Sequence, residues 1–171
     1  MPGVFDELQA MVGRESELQV CKDSVDRSMI RHWCEAMEDG NPLYTDEGYA
    51  KKSKYGGMIA PPQMVQAFST PPLWPKREEI PDPFAQAVKK LGDAGYFGIV
   101  ATTTTQEYRH PMRLGDRLRF KTKLAAVSPE KTTRIGTGHF VTAEYTYVNQ
   151  RDEVVCVQSF TVLTFKPGTQ G

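Results

Sequence analysis

The feature that most narrows the fold is the second half of the chain, where Thr, Val, Tyr and Phe dominate and turn residues recur at regular intervals. β-Branched and aromatic side chains suit a pleated, half-buried surface, so this pattern reads as a run of antiparallel strands. Four are predicted: Gly98 to Tyr108, Asp116 to Val127, Arg134 to Asn149 and Val154 to Phe165. The breaks between them are His110-Pro111 through Gly115, Ser128-Pro129, and Gln150 through Asp152. The last two strands are long and alternate cleanly. Within the third, Gly136-Thr137-Gly138 is not followed by a helix and reads as a bulge in a bent strand rather than a phosphate loop.

The first half has a different period. Leu18, Val20 and Lys22 alternate with Gln19 and Cys21 as a short strand,. Asp26 is then a good N-cap, and Ile30, Trp33, Cys34 and Met37 recur at the spacing of one buried helical face, up to a stop at Asp39-Gly40,. Asn41-Pro42 signals a turn, after which Asp46 can cap a short polar helix from Glu47 to Lys51 that ends before Gly56-Gly57,. Pro62 suits the first turn of an apolar helix carrying Met64, Val65, Ala67 and Phe68,. Pro71, Pro72, Pro75, Pro81 and Pro83 make the next stretch resist both helix and sheet, and Phe84, Ala87, Val88 and Leu91 restore a helical stripe closed by Gly92 and Gly95,. The expected design is α+β, an antiparallel sheet wrapped around a central apolar helix.

Composition removes several functional classes. The 171 residues, 39% of them hydrophobic, are enough for one domain over 1–171 with an ordinary core and no stapling by disulfide or metal,. Lys and Arg number 21 against 21 Asp and Glu, and they are interspersed, which argues against a nucleic-acid partner,. No apolar run approaches the roughly 20 residues that span a bilayer, and Met1 to Ala10 is acidic rather than signal-like,. Cys21, Cys34 and Cys156 are scattered and odd in number, which fits reduced thiols and a cytoplasmic location,. Neither these cysteines nor His32, His110 and His139 show paired ligand spacing, so no metal is expected,.

Asp39-Gly40-Asn41-Pro42-Leu43-Tyr44, followed by Gly57-Met58-Ile59-Ala60-Pro61-Pro62, resembles the signature of the MaoC-like hydratases and dehydratases. Those enzymes carry Asp-x-Asn-Pro-x-His and then an Ile-Val/Ala-His-Gly segment opening their central helix. Arg109 to Asp116 is similar to the family's proline and Gly-Asp turn between strands. The resemblance runs from about Leu18 to Phe165 and implies a hot-dog fold, acyl-CoA thioester substrates, no other cofactor, and pairing of two hot-dog units.

In that family Asp and His together activate water for addition to an enoyl thioester, and a backbone N–H at the helix start stabilises the enolate oxygen. Here Asp39 is kept, but Tyr44 stands at the His position and Pro62 at the glycine position. A phenol with an ordinary pKa of about 10 is a poor base at neutral pH, and proline has no N–H to donate. The resemblance therefore implies no catalytic residue on this chain and a catalytic hot-dog partner in a heterodimer or heterotetramer. It is similar to the substrate-accommodating units of actinobacterial hydratases that act on bulky acyl-CoA thioesters, with the steroid side-chain type favoured by Ile30 to Ala36 and Ala60-Pro61-Pro62. Such a unit is often the N-terminal half of a longer chain, so continuation past Gly171 is an expectation.

The candidate substrate-binding residues are Tyr55, Gly57, Ile59, Ala60, Pro61 and Trp74, with Leu73 beside the last and Met64 and Phe68 readable as pocket or as core,. Asp39 also reads as a helix-ending residue before an Asn-Pro turn, and Tyr44 as a volume filler for the absent His. Two rival functions stay open on sequence: a hot-dog acyl-CoA thioesterase and a stand-alone acyl-CoA binding module.

Overall fold

The computed structural model describes residues 3–70, 74 and 82–168. A six-residue helix α1 (Val4–Gln9), which no strong cap announces in the sequence, opens the chain and buries Leu8. Strand β1 is only Gln19–Val20. Helix α2 (Arg27–Met37) begins where expected, because Asp26 Oδ1 accepts from the backbone N–H of Ser28 at 2.8 Å and Met29 at 3.0 Å,. It buries Ile30 and Cys34, whereas Met37 is exposed on the last turn, beyond the reach of the core. Asn41-Pro42 starts a short helix α3 (Pro42–Thr45) rather than a bare turn, and Asp46 caps α4 (Glu47–Lys52) by accepting from Tyr49 N–H at 2.9 Å. A 3-10 turn at Pro62–Met64 leads into α5 (Val65–Ser69), and α6 (Pro83–Asp93) follows with Asp82 as its N-cap. Leu73, Pro71, Pro72, Pro75 and Pro81 lie outside the described residues.

The strand-rich half forms β2 (Gly98–Tyr108), β3 (Arg119–Val127), β4 (Lys131–Thr133), β5 (Gly136–Val148) and β6 (Val154–Pro167). All pairs are antiparallel, in the order β1-β3-β5-β6-β2, with β4 folded back on the start of β5. The main differences from the sequence expectation lie at the starts of β3 and β5. β3 starts at Arg119 rather than Asp116, because the buried Asp116 carboxylate accepts from Arg113 N–H at 2.7 Å and from Gln150 Nε2 at 3.0 Å, which holds it in the preceding turn. The third expected strand starts at Gly136 rather than Arg134, because Arg134-Ile135 forms a tight turn that pairs an unexpected short strand, β4, with the start of β5.

Gly136-Thr137-Gly138 is a site of close approach and not a bulge. A Cβ at Gly138 would stand 2.0 Å from the Thr164 carbonyl oxygen, and one at Gly136 2.2 Å from that of Lys166. The register shifts fall elsewhere, between Ala101 and Thr103, between Leu124 and Ala126, and between Tyr147 and Val148.

One face of the sheet carries the apolar rows, and two buried clusters sit on it. Val25, Ile30, Met64, Phe68, Leu118 and Tyr147 belong to the first; Leu8, Ala87, Leu91, Leu124, Val141 and Val162 to the second. The apolar helical layer is thus divided between α5 and α6, with α1 and α2 closing its two ends. Each fully buried Leu or Ile side chain stabilises the fold by roughly 1.5–3 kcal/mol. The result is the hot-dog architecture, an α+β sheet curled around its apolar helical layer. Among the described residues strand β2 is a free edge of the sheet, with most of its residues exposed, Ile99 and Tyr108 among them. No helix among the described residues is long and apolar enough to cross a membrane.

Candidate functional site

Three separated segments converge beside α2. The N–H of Ile59 donates to the Leu43 carbonyl at 3.4 Å, the N–H of Ala60 to the Met112 carbonyl at 2.9 Å, and Arg113 Nη1 to the Tyr55 carbonyl at 2.6 Å. Residues 39–44, 55–62 and 109–116, distant in sequence, are thereby tied into one frame. A cavity of about 430 Å³ opens beside it, lined in part by Arg31, Cys34, Asp39, Tyr44 and Met58.

Asp39 follows directly on the left-handed residue Glu38, which ends α2. Its Oδ1 accepts from the Asn41 N–H at 3.0 Å, and Asn41 in turn caps α3 by accepting from Leu43 N–H at 3.0 Å. One carboxylate oxygen of Asp39 is therefore engaged in turn geometry. Tyr44 is half-buried and packs against the first cluster. Burial, and next the Asp39 charge, raise its pKa, so the phenol is protonated at neutral pH,. Burial followed by Asp39 likewise raises the Cys34 thiol. Arg27 pairs with Glu47 at 3.3 Å and Arg31 with Glu35 at 2.9 Å, both at the exposed rim.

Pro62 opens the 3-10 turn and offers no N–H, and Pro61 before it offers none either,. Ile59, Ala60 and Pro61 are buried, with Ala60 in the first cluster beside Met64 and Phe68. Tyr55 and Gly57 are half-buried, and Trp74 is 84% exposed. Asp39 and Tyr44 thus meet in one cavity, joined from the second segment by Met58.

The three histidines lie apart from this cavity. His32 is exposed on α2 near Glu35, His110 Nδ1 bonds the Val154 carbonyl at 2.9 Å, and His139 is buried against Phe5 and Tyr96. Among the described residues no group of His, Cys, Asp and Glu side chains gathers where it could hold a metal ion.

A second cavity, of about 580 Å³, lies between α6 and the sheet beside the free edge, lined mainly by Phe84, Val88, Ile99, Tyr145, Phe160 and Val162. Sequence reasoning missed it, since its walls come from α6, β2, β5 and β6 and meet only through strand register. Arg27 and Arg31, at the first cavity, did carry a signal: they stand four residues apart and lead to Cys34 on the same helix,.

Residues 10–158 match the family model for the FAS1-like dehydratase domain region. The chain is 37% identical over 169 residues to a probable enoyl-CoA hydratase alpha subunit of Thermomonospora curvata, covering 94% of this chain and 51% of that protein. It is 32% identical over 171 residues to the 3-oxo-4,17-pregnadiene-20-carboxyl-CoA hydratase alpha subunit of Mycobacterium tuberculosis, covering 98% of this chain and 54% of that one. The chain therefore spans about half the length of these curated relatives. Among solved structures, a chain of the ChsH1-ChsH2 complex from Mycobacterium tuberculosis superposes with a TM-score of 0.87 at 30% identity, covering 98% of this chain and 92% of that chain.

Proposed function

The chain belongs to the family of FAS1-like dehydratase domain regions, and from that premise we propose that it is the non-catalytic, substrate-accommodating hot-dog unit of a heteromeric enoyl-CoA hydratase. The observation that carries the reading is the cavity at Asp39. It keeps the family's carboxylate, but Tyr44 replaces the base and Pro62 removes a backbone donor from the helix start,. A protonated phenol does not take a proton from water, and neither Pro61 nor Pro62 offers an N–H at the helix start to steady an enolate,. The chemistry is then supplied by a second hot-dog unit with the intact pair.

Three further observations support a partner of that kind. Among the described residues β2 leaves eleven positions along the sheet edge without a neighbour on one side, and long regular edges are normally covered,. The relatives are named alpha subunits, and the superposed chain comes from a complex of ChsH1 with ChsH2. Substrates are taken to be bulky acyl-CoA thioesters, with steroid side-chain derivatives favoured because one relative's name specifies a pregnadiene-carboxyl-CoA. Tyr55 and Trp74 remain the surface candidates for contact with the acyl group, whereas Ile59, Ala60 and Pro61 would act by shaping the wall behind it.

The test is co-expression with a short hot-dog protein carrying Asp-x-Asn-Pro-x-His, followed by a hydration assay over enoyl-CoA thioesters of increasing bulk. The complex is expected to hydrate bulky substrates while this chain purified alone turns over none. Turnover by the chain alone would overturn the reading.

A further inference from the structure

The sheet face beneath the helical layer is crossed by a polar row. Thr122 stands opposite Tyr145, Tyr145 opposite Gln158, and Gln158 opposite Gln106, on β3, β5, β6 and β2 in turn. Residues directly opposite share a face of the pleat, so the four side chains form a line across the sheet. The row beyond it on one side, Phe120, Tyr147 and Cys156, belongs to the first cluster, and the row on the other holds Leu124 and Phe160 of the second. The polar row therefore runs between the two apolar clusters, where the helical layer passes from α5 to α6.

Most of its neighbourhood is internally satisfied. Tyr147 OH donates to Gln158 Oε1 at 3.3 Å and meets Ser69 Oγ at 3.1 Å, Gln158 Nε2 donates to Thr104 Oγ1 at 3.2 Å, and Tyr108 OH donates to Gln106 Oε1 at 2.5 Å. Two hydroxyls stand apart from this network. Thr122 Oγ1 is fully buried without a hydrogen-bond partner among the described residues, and across from it Tyr145 is half-buried and lines the second cavity. The Tyr145 hydroxyl, which makes no hydrogen bond among the described residues, is thus available on the wall of an apolar cavity to a group that enters from outside,.

We propose that Tyr145 is a specificity-determining residue that donates a hydrogen bond to a neutral oxygen, a ketone, carried on the ring system of the bulky acyl tail lodged in the 580 Å³ cavity. This rests on the reading of the chain as the tail-accommodating unit. The cavity is of the size that encloses a ring system, and its walls of Phe84, Val88, Ile99 and Phe160 are apolar,. Tyr145 lies on one wall and the Asp82 carboxyl, the N-cap of α6, on another. Burial, and next the charge of Asp82, push the Tyr145 pKa up to about 12, which keeps the phenol a donor throughout the physiological range. Asp82 and Lys89 place one charge of each sign at the cavity, while the rest of its lining is uncharged. Ile99 and Ala101 bring the cavity to the edge strand, the side from which a partner's substrate would enter.

The experiment compares two enoyl-CoA thioesters of one tetracyclic tail, with and without a ring ketone, on the complex with its catalytic partner. The wild-type complex is expected to favour the ketone by at least about fivefold in kcat/KM, and Tyr145→Phe to bring that preference within about twofold of unity. Tyr147→Phe, whose hydroxyl is committed to Ser69 and Gln158, is expected to leave the preference in place. Absence of any preference in the wild type, or its survival in Tyr145→Phe, overturns the inference while the hydratase reading stands. Should no partner confer turnover, that reading fails instead, and titration of the chain with the CoA-free tetracyclic ketone decides the inference. Binding weakened at least about fivefold by Tyr145→Phe supports it, and binding that is absent or indifferent to the change overturns it.

Discussion

At position 44 the phenol is half-buried beside Asp39 and Cys34, and burial together with that carboxylate raises its pKa rather than lowering it. A base is made by the opposite arrangement, a pKa brought close to the working pH. Replacing the residue restores only one of two absent parts. Tyr44→His is expected to leave the isolated chain without hydratase activity on crotonyl-CoA, since Pro62 still offers no N–H at the helix start,. Activity above background in a continuous absorbance assay of that single variant would show that the helix start is not what limits the site. Asp39 is readable locally because it serves a local purpose: its Oδ1 holds the Asn41 turn at 3.0 Å whether or not chemistry follows.

Among the elements, β5 has no room for a side chain at Gly138, where even a methyl group would overlap the Thr164 carbonyl of β6. Gly138→Ala is expected to cost about 2–4 kcal/mol in denaturant unfolding, because the obstacle is backbone and not a side chain that can swing away. A loss under about 0.5 kcal/mol would mean that the strands separate there without penalty. At the free edge, Thr103→Lys with Thr105→Lys places two charges on exposed positions of β2. The pair should weaken association with a hot-dog partner at least tenfold, roughly 1.4 kcal/mol, while leaving the unfolding midpoint nearly unchanged. Association of undiminished strength by light scattering would move the interface elsewhere. Strong local signals made several elements legible in the sequence: Asp26 and Asp46 cap where their side chains suggest, and β2 runs from Gly98 to Tyr108 as its composition implies. The short strand β4 and its turn onto β5 were not legible, because Arg134-Ile135 lacks the Gly or Asn that announces a two-residue turn,. Nor was the start of β3, since Asp116 is fixed by Gln150, a residue 34 positions away.

For the whole molecule the same contrast separates the two cavities. The one at Asp39 and Tyr44 is assembled by motifs that are recognisable in the sequence, whereas the one at Tyr145 exists only because β2, β5 and β6 pair in one register above α6. The division of labour proposed for this fold assigns the proton chemistry to a partner and the tail to this chain, and it turns on whether Asp39 takes part in turnover. The most direct measurement is the hydration rate of the reconstituted complex with Asp39→Asn in this chain, set against the complex in which the partner's motif His is changed to Ala. A side-chain amide oxygen can still accept from the Asn41 N–H, so the turn survives the first change,. The account predicts a kcat within about twofold of wild type for Asp39→Asn and a loss of at least about a hundredfold for the partner variant. A hundredfold loss in Asp39→Asn with the complex intact would contradict it.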